Sequence, residues 1–192
     1  MNRFIVFEGP NGLGKTTQAQ LLVKNLPDSV YLEYRSCTAG WHVSHIAHEL
    51  SSNHLAMLHL FLAARIQLNT IIKDYLHEGK TVILDRYWPS TLVHQCYMGN
   101  LPSLYEEIVL SNDYNLMPDL MLFFDGSKPL KEYDPLDAFE RQSNFEREST
   151  LYRHTWGIAS SRKVERHIIK VTGDNWRGSI DEIADTIYRN IK

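Results

Sequence analysis

"FEGPNGLGKTTQ", residues 7 to 18, decides how the rest of this chain is read. Gly9 through Thr16 match G-x-x-x-x-G-K-[ST] without exception. The match falls between a short apolar run, "RFIVFEG" (3 to 9), and an amphipathic stretch, "TTQAQLLVKNL" (16 to 26). Strand, glycine loop and helix in that order make a phosphate loop. The glycines let backbone N–H groups curl around phosphate oxygens, and the helix N-terminus adds its dipole. In this loop, residues 9 to 17, the ATP contacts are expected from Gly9, Asn11, Gly12, Leu13, Gly14, Lys15, Thr16 and Thr17. Lys15 reaches the terminal phosphates and the Thr16 hydroxyl holds a magnesium ion. A chance glycine turn is the bland alternative, and the strand before it and the helix after it argue against that.

Working outward, apolar runs alternate with helical patterns. "SVYLEY" (29 to 34), "KTVILD" (80 to 85), "PDLMLFFD" (118 to 125) and "RHIIKVTG" (166 to 173) read as four further strands. Helices are expected at about 42 to 51 and 54 to 78, the second with Gly79 at its C-cap, and over the closing "SIDEIADTIYRNIK". Strands separated by helices imply a parallel sheet covered on both faces. The expected fold is α/β, a three-layer α/β/α kinase-type domain with a five-stranded parallel sheet, spanning 1 to 192 as one unit. "DGSKPLKEYDPLD" (125 to 137) is polar with two prolines and reads as an exposed, short lid.

Composition narrows the class. The 192 residues are 43% apolar and 22% charged, with a formal net charge of -3, which argues against a nucleic-acid polymer as partner. Cys37 and Cys96 show no pairing pattern, so a reducing, cytoplasmic setting is expected. The nine histidines show no metal-ligand spacing. No uninterrupted apolar run is expected to reach the ~20 residues of a membrane span, and no signal peptide is expected ahead of the first strand.

Ligands of such sheets lie beyond the carboxyl ends of the strands. The third strand exits into "DRYWPSTLVHQ" (85 to 95), placing both residues beside the phosphates, Asp85 near the metal and Arg86 against an anionic acceptor. A structural ion pair capping the strand is the competing reading. Phe61 and Arg65 are four residues apart, on one helix face, where a ring could stack on a base and a guanidinium could bond its edge. Taken alone, Phe61 reads more simply as core.

The phosphate loop, "HLFLAARIQLNTIIKDYLHEGKTVILDRYWPSTLVHQ", "PDLMLFFD" and "DAFERQSNFERESTLY" together resemble the thymidylate kinase family almost end to end. The resemblance implies a homodimer that uses magnesium and ATP to phosphorylate a (deoxy)nucleoside monophosphate, foremost dTMP. Lys15 and Arg86 would stabilise the transferring phosphoryl group, with Asp85 orienting the metal or its water. Arg35 would hold the acceptor phosphate, Phe61 stack on its base, Arg65 bond the base edge and Thr91, from the loop after strand three, contact the same base. His94 and Gln95 complete the acceptor side.

Three departures from that pattern stand out. Position 11, acidic in these kinases and close to the acceptor's 3'-hydroxyl, is Asn11. Position 94, usually an aromatic crowding the sugar, is His94. The lid carries no arginine and Gly12 supplies none, leaving Arg141, placed among the ATP contacts, or Arg147 as replacement. These departures predict slow catalysis or a different acceptor. Two rivals follow. A deoxynucleoside kinase would use Glu33 as base toward a 5'-hydroxyl, although Leu62 stands where that family has an amide and Arg35 would then be surplus. A catalytically weak nucleotide-binding module is the other. A GTPase is excluded by the lack of an N-K-x-D motif.

Overall fold

The computed structural model describes residues 2–50, 52–127, 144–162 and 164–171, with Asp185, Tyr188 and Arg189. Five strands, β1 (Phe4–Glu8), β2 (Ser29–Glu33), β3 (Thr81–Asp85), β4 (Leu120–Gly126) and β5 (Glu165–Val171), form one sheet in the order β2-β3-β1-β4-β5. All neighbours pair parallel, as the alternation of apolar runs and helices requires.

Successive residues of each central strand face opposite layers. From β1, Phe4 and Val6 enter one apolar cluster and Ile5 and Phe7 the other; β3 and β4 divide in the same way. One layer holds α2 (Thr38–Leu50), α3 (His54–His77) and α6 (Phe145–Ser161), with α5 (Ser103–Leu110) packed onto it through Val109; the other is covered by α1 (Lys15–Asn25). The three layers place the carboxyl ends of β1 and β3, which are direct neighbours, at the centre of one edge.

Helix α3 stops as expected. Gly79 adopts φ 81°, and the N–H groups of Gly79 and Lys80 bond back to Leu76 and Tyr75, closing the orphan carbonyls of the last turn. By length and composition α3 could cross a membrane, contrary to the expectation that no run is apolar enough. Here it is the central helix of the larger apolar cluster and buries Arg65 and Asn69 along its length.

Other boundaries differ from the sequence reading. α2 starts at Thr38 rather than 42. Asp125 and Gly126, assigned to the lid, are the last residues of β4. Residues 128–143, and so the lid from residue 128 onward and Arg141, lie outside the described residues, as does most of the expected closing helix. "WPSTLVHQ" is not loop: α4 (Trp88–Thr91) runs directly into a π-helical turn, Leu92–Tyr97. Thr91 therefore sits on a helix. Pro89 at the start suits a helix whose first N–H groups have no partner to lose.

Candidate active site

The phosphate loop forms where β1 ends. Gly9 adopts φ 133°, and a Cβ there would lie 2.4 Å from the Phe124 carbonyl oxygen, so only glycine lets the loop leave beside β4. Gly12 and Gly14 are also left-handed, each at φ 78°. Leu13 turns its side chain into the smaller apolar cluster beneath the loop, which leaves its contribution to any phosphate contact to the backbone.

Lys15 is buried and donates a 2.5 Å hydrogen bond to the Pro10 carbonyl across the loop. Burial and the Arg86 charge pull its pKa down to about 7, against the opposing pull of Asp85, Glu8 and Glu148. An unneutralised ammonium in this position is costly, and an anionic ligand would relieve it. Asp85, at the end of β3, accepts from Thr16 Oγ1 at 2.5 Å and from the Tyr31 hydroxyl at 3.3 Å. Its other oxygen, Oδ1, is buried with no hydrogen-bond partner among the described residues. Thr17 is exposed one residue further on.

Arg86 follows with φ 72°, a left-handed conformation unusual for a side chain this large. Its backbone N–H still bonds to Phe7 O, so the turn is fixed from β1. The turn aims the guanidinium at the phosphate loop. Nη1 donates to Gly9 O at 3.2 Å, Ser90 Oγ at 3.1 Å and Tyr152 OH at 2.6 Å, and Nη2 donates to Asn11 Oδ1. Burial opposes its charge, but Tyr152, Asp85, Glu8 and Glu148 outweigh that and hold its pKa above the ordinary range.

Four residues of this cluster were given no role in the sequence analysis, although the serine after the DRY motif, Ser90, belongs to the segment that carries the resemblance. Glu8 closes β1 fully buried, accepting from Tyr87 N at 2.6 Å, Ser90 N at 3.3 Å and Ser90 Oγ at 2.8 Å. Burial pushes its carboxyl up, against Arg86 and those bonds. Ser90, Tyr152 and Glu148 complete the set. Glu8 was findable as a charge inside an otherwise apolar strand; Glu148 and Tyr152 are 137 and 66 residues from their partners Asn11 and Arg86.

A second group lies on the α3 side. Arg65 is buried and donates through Nη2 to Thr91 Oγ1, and through Nη1 to Asn115 Oδ1 at 3.2 Å, with the Tyr87 ring beneath it. Burial lowers its pKa to about 10, so it stays charged. Phe61 is half-buried, one turn earlier, edge-on to Tyr34 at 5.5 Å. Tyr34 also carries Arg35 over its ring, while the Arg35 guanidinium grips both oxygens of Glu33 at 2.8 and 2.9 Å. The structure thus joins Arg65 to Thr91, and Phe61 to Arg35 through Tyr34.

On the wall between the groups, the half-buried His94 has Nε2 3.2 Å from Tyr152 OH, and Gln95 beside it is buried. Burial, with Arg86, Lys15 and His54 outweighing Glu148, brings His94 down to about 4, leaving it neutral at physiological pH. Arg147 is exposed, off the buried stripe formed by Glu148, Ser149, Tyr152, Thr155 and Ala159 on α6.

A family model described as "Thymidylate kinase" matches residues 7–171. A thymidylate kinase from Roseiflexus sp. (strain RS-1) is 30% identical, covering 97% of this chain and 92% of its own length. A probable thymidylate kinase from Methanococcus maripaludis (strain C6) is 32% identical over 97% of this chain and its full length. The crystal structure of thymidylate kinase from Ehrlichia chaffeensis superposes with a TM-score of 0.70 over 97% of this chain and 98% of that one, at 23% identity. The last similarity speaks for the fold alone.

Proposed function

The chain belongs to the thymidylate kinase family, and from that membership we infer that it transfers the terminal phosphoryl group of ATP to dTMP. It is a nucleoside monophosphate kinase, a phosphotransferase. The observation that carries the reading at the level of the site is the convergence of Lys15, Thr16, Asp85 and Arg86 on one phosphate loop, with further cations, Arg65 and Arg35, on a separate side. Phosphoryl transfer asks for charge neutralisation and alignment rather than covalent chemistry.

In this reading Lys15 and the loop N–H groups of residues 9 to 17 hold the ATP phosphates, and Arg86 spans donor and acceptor. Arg35 receives the acceptor phosphate, and Phe61, Arg65 and Thr91 receive its base, with His94 and Gln95 beside the sugar. Magnesium fits the residues present. Thr16 and Asp85 offer hard oxygen donors side by side, Asp85 Oδ1 is a buried acceptor without a partner among the described residues, and phosphate oxygens and water would complete the shell. When bound, the ion would neutralise developing charge on the phosphates. The homodimer, the cytoplasmic setting and the absence of nucleic-acid and membrane partners belong to the same proposal. Exposed apolar residues Trp41, Leu55 and Ile66 on α2 and α3 support an interface there.

One observation weighs against a 5'-hydroxyl acceptor. Glu33, the candidate base for that chemistry, has both carboxylate oxygens engaged by Arg35. The deciding experiment is ADP release from ATP and magnesium with a panel of nucleosides and nucleoside monophosphates. dTMP should turn over and thymidine should not. Turnover of thymidine alone would establish the nucleoside kinase, and no turnover with any acceptor the binding module.

A further inference from the structure

Helix α6 reaches the phosphate loop from the side opposite α1, through two residues one turn apart. Glu148 accepts a 3.0 Å hydrogen bond from the Asn11 backbone N–H and faces Asn11 Nδ2 at 3.5 Å. That contact fixes the Asn11 side chain: its amino group turns to the carboxylate and its carbonyl oxygen is left for Arg86 Nη2. Tyr152, four residues on, meets the other end of the same guanidinium. Its hydroxyl accepts from Arg86 Nη1 at 2.6 Å and lies 2.8 Å from Ser90 Oγ, which donates to Glu8. Both terminal nitrogens of Arg86 are therefore seated by α6, one through Asn11 and one directly. Glu148 is also central electrostatically, since its charge acts on Lys15, Arg86 and His94 together.

We propose that Glu148 and Tyr152 are positioning residues that clamp Arg86 for phosphoryl transfer, with Glu148 supplying from α6 the carboxylate that the phosphate loop lacks at position 11. This rests on the reading of the site as a monophosphate kinase. The pairing explains why position 11 is an amide. An aspartate there would set a carboxylate oxygen about where Asn11 Nδ2 now stands, 3.5 Å from the Glu148 carboxylate, whereas asparagine donates to one neighbour and accepts from the other. The clamp matters because a guanidinium acts on a transferring phosphoryl group only when aligned, and a misplacement of about 1 Å can cost about a hundredfold in rate.

The test moves the carboxylate back. Initial rates with ATP, magnesium and dTMP are measured on the full chain and on Glu148→Gln, Asn11→Asp and the double variant, with melting curves for each. Glu148→Gln should lower kcat about tenfold or more while both Michaelis constants stay within about threefold, because alignment and not binding is lost. Asn11→Asp alone should also lose rate. The double variant, with one carboxylate again beside Arg86, should return to within about threefold of the starting kcat, a coupling that independent sites do not show.

Losses that multiply in the double variant, or an unchanged kcat in Glu148→Gln, overturn the proposal. If Glu148→Gln does not fold, Tyr152→Phe decides: it keeps the packing and should lower kcat with unchanged Michaelis constants, and an unaltered kcat overturns the clamp. Wild-type protein without turnover on any monophosphate refutes the kinase reading and this one with it. Wild-type turnover without rescue refutes the clamp alone.

Discussion

Thr16 Oγ1 donates a 2.5 Å hydrogen bond to Asp85 Oδ2, tying the first turn of α1 to the end of β3, while Asp85 Oδ1 stays buried without a partner among the described residues. The two side chains bring oxygens together from two neighbouring elements, which is what a hard cation beside phosphates needs. Asp85→Asn keeps the size and the bond to Thr16 but removes the charge. The magnesium concentration giving half-maximal rate should rise about 10- to 100-fold, the range for losing an oriented carboxylate at a metal site. An unchanged magnesium dependence would make the Thr16–Asp85 contact merely structural.

Lys15 gives a pH dependence with a definite sign. Its pKa near 7 in the free protein, set first by burial and then by Arg86, means that the ammonium is partly lost as pH rises through 7. Anionic phosphates restore the charge. ATP binding should therefore take up a proton at pH 8 and little at pH 6, read by calorimetry in two buffers of different ionisation enthalpy. No proton uptake at pH 8 would mean that Lys15 is charged without ligand. Lys15→Ala should cut turnover about a thousandfold or more, as loss of a cationic clamp does in phosphoryl transfer. It should not lower the melting temperature at pH 7, because a lysine whose folded pKa lies below its unfolded one opposes folding there.

Local signals made the fold legible. The apolar runs of β1, β3 and β4 have no competing period, Gly79 marks the end of α3, and Gly9 through Thr16 leave one conformation open. Arg65 and Thr91, expected on one ligand, do meet. What could not be read is long-range or locally disguised. Nothing near position 148 shows that its carboxylate turns inward onto Asn11. "WPSTLVHQ" lacks the length and capping that announce a helix, and its π-turn packs against α3 and α6. Arg35 looked free to bind phosphate, yet Glu33 two residues earlier holds it.

That ion pair makes Arg35 testable in two directions. The Arg35 side chain is half exposed and its pair with Glu33 is solvent-screened, so an incoming dianionic phosphate can displace the carboxylate. Arg35→Ala should raise the Michaelis constant for every monophosphate, whatever its base. Glu33→Gln, which releases the arginine, should lower the same constant or leave it unchanged. A rise in Glu33→Gln would show instead that the pair presents Arg35 correctly.

Phe61 and Arg65 are one turn apart but stand in different surroundings. Phe61 is half-buried on Tyr34, so Phe61→Ala should chiefly raise the acceptor Michaelis constant, since stacking on a base is worth about 1–3 kcal/mol. Arg65 is locked to Thr91, Asn115 and Tyr87 in the core. Arg65→Ala should therefore cost both acceptor binding and stability, because buried partners are left unsatisfied. Unfolding of Phe61→Ala without an acceptor defect would identify Phe61 as core and displace the base pocket.

The sugar side of the acceptor pocket should discriminate weakly between deoxyribose and ribose. Asn11 and His94 occupy the two positions that the resemblance directs at the sugar, and both are turned toward α6. Asn11 is bonded to Glu148, and His94 to Tyr152 with ring centroids 6.0 Å apart. An imidazole engaged with a tyrosine behind it presses less on a 2'-hydroxyl than a larger aromatic would. Without a dedicated clash, a pocket rejects an added hydroxyl by no more than about a hundredfold. The ratio of kcat/KM for dTMP and its ribose counterpart should fall below that. His94→Tyr alone would meet the Tyr152 ring and lose stability without sharpening the ratio. Introduced with Tyr152→Ala it has room, and the ratio should widen even where kcat falls. A wild-type ratio already equal to that of the His94→Tyr/Tyr152→Ala variant would mean that position 94 does not read the sugar.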